Sequence, residues 1–78
     1  MKKEKRGYAA FDKESGKGLC VMFGITNRTS LTDDPDKVYI RQGYGEVEVC
    51  THWFNNQHKN KKEFEIREVV LVTEIHTI

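Results

Sequence analysis

The sequence predicts a small all-β domain: five antiparallel strands forming a barrel or a strongly curved sheet, SH3-like or OB-like in architecture. Three observations predict it. Apolar residues recur with period two in several short stretches. Turn-forming Gly, Asn and Asp clusters separate those stretches. The longest apolar-rich run, residues 64–78 (FEIREVVLVTEIHTI), closes the chain. Val69, Val70, Leu71 and Val72 are consecutive there, which predicts a central strand covered on both faces.

The chain has 78 residues, enough for one domain. Residues 1–7 are expected as a charged, flexible tail and residues 8–78 as the β domain. Residues 8–12 (YAAFD) predict the first strand, and Gly16 and Gly18 a turn. Residues 19–26 (LCVMFGIT) predict the second, with Leu19, Val21, Phe23 and Ile25 inward. Residues 27–36 are a polar loop. Residues 37–42 (KVYIRQ) alternate as a third strand, and Gly43 and Gly45 frame a turn around Tyr44. Residues 46–54 (EVEVCTHWF) predict the fourth, with Val47, Val49, Thr51 and Trp53 on one face. Residues 55–63 form a polar loop into the last strand, and no stretch predicts an amphipathic helix.

The net charge of +1 provides no global field selecting nucleic acid or an anionic surface. No run reaches the roughly 20 apolar residues of a membrane span, and no secretory leader pattern opens the chain. A cytoplasmic protein without membrane contact is expected, with Cys20 and Cys50 as free thiols.

Asp33, Asp34 and Asp36 lack the spacing of a calcium loop. Gly16-Lys17-Gly18 lacks the rest of a phosphate-binding loop. Cys20, Cys50, His52 and His58 are the one candidate zinc set, without the paired spacing of structural zinc sites. Cys50 and His52 are the only nucleophile–base pair in view, and on a strand their Cβ atoms lie about 7 Å apart. No enzyme and no cofactor is expected.

What remains is a non-catalytic binding module acting through protein–protein contacts, regulatory or inhibitory in type, with self-association by a strand edge as one form. The alternative is a single-stranded nucleic-acid binder that stacks bases on aromatics and holds phosphates with lysines. The candidate contact residues are Tyr39, Tyr44, Phe54, His58, Lys59, Lys61 and Lys62.

Overall fold

The computed structural model describes residues 2–74. Four strands, β1 (Lys2–Asp12), β2 (Gly18–Met22), β3 (Arg28–Thr32) and β4 (Phe64–Glu74), form one antiparallel sheet. Its order is β3-β2-β1-β4, and one helix, α1 (Tyr44–Gln57), packs on one face. The β-rich character is as expected, but the sheet is open and holds four strands, where the pattern predicted five.

The expected fourth strand is the helix. Val47, Cys50 and Phe54 fall one turn apart and form its buried stripe. Gly43 precedes the helix, and the Glu46 carboxylate accepts the Gly43 N–H at 3.1 Å, satisfying a donor the helix leaves free. Arg41 pairs with Glu46 at 3.1 Å and holds that carboxyl below its ordinary range.

The expected third strand, residues 37–42, follows a single 3-10 turn, Pro35–Lys37, and makes only an isolated bridge at Arg41, while the expected loop 27–36 holds β3 as well as most of that turn. Residues 39–41 fill a gap in the sheet. β1 and β2 meet at Phe11 and Gly18 and then diverge. Into the divergence the Tyr39 N–H donates to the Leu19 carbonyl at 2.8 Å, and Tyr8 and Arg41 exchange both backbone bonds. Two glycines permit this approach. A Cβ on Gly7 would run into the Arg41 carbonyl, and one on Gly18 would lie 2.5 Å from Val38 Cγ2.

The basic start is not a tail. Lys2 through Gly7 form the first half of β1, paired residue by residue with Val69 through Glu74. The centre of the sheet also differs from expectation. β1 is central, and its adjacent Ala9 and Ala10, which point to opposite faces, are both fully buried. Among the described residues β4 has a neighbour on one side only and is an edge strand.

The core lies between α1 and the sheet. Ala10, Leu19, Val47, Cys50 and Phe54 form it, with Tyr8, Val21, Leu31, Tyr39, Phe64 and Ile66 packed around them. Phe54 meets the Phe64 ring edge-on at 5.3 Å. α1 begins beside Tyr8, whose ring meets that of Tyr44 at 5.7 Å. Tyr8 pairs with Glu68, so the helix-side residues farther along β4 lie beyond the helix.

Candidate functional site

The two edges of the sheet are finished differently. β3 is short, five residues, and the end of α1 covers it. The Gln57 Oε1 accepts the Thr29 N–H at 2.9 Å and its hydroxyl at 2.8 Å, while the Thr29 carbonyl lies 2.9 Å from His58 Nε2. Side chains thus occupy both backbone groups of the buried Thr29, which blunts the edge.

β4 has none of these protections. It runs 11 residues, about 36 Å at strand rise, with an unbroken register and no bulge. It contains no proline and no lysine, and its middle, Val69-Val70-Leu71-Val72, is uncharged. Among the described residues no strand pairs with its outer side.

The hydrogen-bond phase shows which groups that edge presents. Lys13 donates to the Glu63 carbonyl at 2.9 Å, while Tyr8 spends its N–H and C=O on Arg41, away from β4. In an antiparallel ladder the two orientations alternate. Glu65, Arg67, Val69, Leu71 and Thr73 therefore aim their backbone groups at β1. Phe64, Ile66, Glu68, Val70, Val72 and Glu74 aim theirs outward. Val70 and Val72, on the helix side but beyond the helix, are 48% and 52% exposed. The edge thus combines free backbone donors and acceptors with uncovered apolar side chains, the composition an added strand recognises.

The residues singled out from the sequence do not form one surface. Tyr44 opens α1, while Phe54, His58, Lys59, Lys61 and Lys62 lie at or beyond its other end, about 20 Å away at helical rise. Phe54 is buried, with its faces taken by His58 at 4.1 Å and by Phe64. Tyr39 is half-buried, touching Phe23 and Arg41 beside Cys50, and burial raises its hydroxyl pKa. His58 binds the β3 edge. Lys62 pairs with Glu14 at 3.3 Å and bonds Asn55 through its backbone, while Lys59 and Lys61 are exposed.

Cys20, Cys50, His52 and His58 are not brought together. Cys20 points to the sheet face away from the helix, since its neighbour Leu19 enters the core. Cys50 is buried in that core, and burial pushes its thiol pKa up. His52, two residues along a helix from Cys50, points away from it. Among the described residues no group of three or more His, Cys, Asp or Glu side chains is placed to hold a metal.

The described residues also form two further apolar surfaces. A groove of about 290 Å3 opens on the face away from α1, lined by Phe11, Val38, Ile40, Val69 and Leu71, with Lys17 and Asp33 paired at its rim. The β2–β3 hairpin tip exposes Met22, Phe23 and Ile25. No helix among the described residues is long and apolar enough to cross a membrane.

Comparison of the chain with family models, with curated proteins and with solved structures finds no match.

Proposed function

We propose that this protein is a non-catalytic binding module that works through protein–protein contacts, taking an extended segment of its partner onto the open edge of β4. The carrying observation is the contrast between edges. Gln57 and His58 close β3, whereas the 11-residue β4 leaves the outward backbone groups of its six even-numbered residues without a strand partner among the described residues, beside the half-exposed Val70 and Val72. Long, regular edges without a bulge, a proline or a lysine attract further strands, and proteins that do not use them normally disrupt them. Strand addition supplies affinity through backbone hydrogen bonds and selectivity through alternate side chains.

The alternative, a single-strand nucleic-acid binder, has less to support it. It needs aromatics and lysines on one track. Here Phe54 is covered, and Tyr44 lies at the far end of α1 from Lys59, Lys61 and Lys62.

The test selects random peptides displayed on phage against the wild-type chain and counter-screens them on Val70→Pro. Proline at position 70 removes an outward N–H and leaves the ladder to β1 intact. The expected result is extended, apolar-alternating peptides that bind wild type and lose the variant. Peptides that bind both equally would refute docking at this edge.

A further inference from the structure

The geometry points to a second copy of this chain as the strand that β4 accepts, paired antiparallel with Val69 of each copy at the two-fold axis. This rests on the edge-docking reading above and specifies its occupant.

The hydrogen-bond phase restricts the arrangement. The outward groups belong to the even-numbered residues of β4, so an even residue must face an even residue across the new ladder. Residues facing one another lie on the same side of the sheet. A β4–β4 pair therefore carries both α1 helices on one face of a continuous sheet, β3-β2-β1-β4-β4-β1-β2-β3. Antiparallel pairings that put the helices on opposite faces would set outward groups against inward ones and form no ladder.

Side-chain chemistry then selects the register. Centring the axis on Glu68 opposes Glu68 to its own copy. Centring it on Leu71 opposes Glu68 to Glu74 twice. Both set like charges directly across the ladder, which is unfavourable. Centring on Val70 sets Ile66 against Glu74 and Val72 against Glu68. Centring on Val69 sets Phe64 against Glu74 but matches Ile66 with Val72 at both ends.

In that register Ile66 lies against Val72, Glu68 against Val70, Arg67 against Leu71 and Val69 against Val69. No like charges face each other. The half-exposed Val72 gains an apolar partner at each end of the ladder, and every outward-pointing amide of β4 gains an acceptor. The interface is isologous, so it closes as a dimer and leaves β3, capped by Gln57, at each outer edge.

The experiment is sedimentation equilibrium of the full chain across roughly 1–300 µM, the range where weak to moderate complexes dissociate. Wild type, Val70→Pro and Val72→Lys are compared, with circular dichroism confirming that each variant is folded. Val69→Cys and Val70→Cys are oxidised with diamide alongside wild type. Facing Val69 residues form a non-hydrogen-bonded pair with Cα atoms about 4.5 Å apart, within disulfide reach.

The expected result is a species of twice the 9.1 kDa chain mass. Its dissociation constant should rise at least about tenfold in both edge variants. A cross-linked dimer should form through Val69→Cys in preference to Val70→Cys. A monomer at every concentration, or a dimer indifferent to both edge variants, overturns the proposal, as does preferential cross-linking through Val70→Cys. A monomeric wild type that still selects edge-dependent peptides would remove the second copy while leaving edge docking intact. Loss of both would remove the reading itself.

Discussion

Gln57 closes the β3 edge at Thr29: one side-chain oxygen accepts both the Thr29 N–H and its hydroxyl, at 2.9 and 2.8 Å. Thr29 is buried, so its donors lose their acceptor if Gln57 is truncated. Gln57→Ala should destabilise the fold by about 1–3 kcal/mol, the cost of unsatisfied buried donors. Urea unfolding measures this. Gln57→Glu, which keeps the acceptor, should recover most of it.

The two faces of the β4 backbone predict opposite responses to proline. Val70 aims its N–H outward, so Val70→Pro should keep stability within about 1 kcal/mol of wild type. Val69 aims its N–H at β1, so Val69→Pro should cost on the order of 3 kcal/mol. Thermal or urea unfolding of the two variants provides the comparison, and equal loss in both would contradict the assigned phase.

Gly7 lets residues 39–41 enter the gap between β1 and β2. A methyl group there meets the Arg41 carbonyl and Ile40. Gly7→Ala should destabilise by about 1–3 kcal/mol through overpacking. The backbone amides of Tyr8 and Arg41 should lose protection from hydrogen exchange first.

Asp12 sets an acid limit on the fold. It is buried, and it accepts from the Ser15 hydroxyl at 2.6 Å and from the Ser15 and Glu14 amides. These bonds, led by the Ser15 hydroxyl, favour the carboxylate and hold its pKa below the ordinary value. A carboxyl with a lowered folded pKa stabilises above its unfolded pKa, near 3.9, and that contribution is lost as pH falls through the folded value. Melting temperatures between about pH 6 and pH 2 should fall less steeply in Asp12→Asn than in wild type, from a lower starting point.

How far the sequence disclosed this fold can be followed residue by residue. Residues 64–78 and 19–26 read as strands: the described part of the first is β4, with residues 75–78 outside the described residues, whereas the second ends at Met22 and leaves Phe23 and Ile25, expected inward, exposed. Residues 44–57 support two periods at once. Val47, Val49, Thr51 and Trp53 repeat every second residue, while Val47, Cys50 and Phe54 repeat at helical spacing. The deciding sign was Glu46 placed three residues after Gly43, where it can bond back to the entry of a helix.

The position of β4 was hidden for a different reason. A run such as Val69 to Val72 records that neighbours are apolar, not how many strands flank it. The sign of a central strand lay in Ala9 and Ala10, small adjacent residues that both faces of the sheet bury. The charges of Lys2, Lys3, Lys5 and Arg6 resembled a solvated tail because nothing local announces their pairing with Val70 to Glu74. That pairing is non-local, as is the Gln57–Thr29 bond, and neither has a signature in neighbouring residues.

The most direct test is residue-resolved amide hydrogen exchange along β4, at low and at high protein concentration. At low concentration Arg67, Val69, Leu71 and Thr73 should be protected, with Ile66, Glu68, Val70 and Val72 exchanging freely between them. At high concentration the second set should gain protection as a second strand closes on the edge. Uniform protection at every concentration, or outward amides that stay open however concentrated the protein and whatever extended peptide is added, would contradict an edge built to be paired.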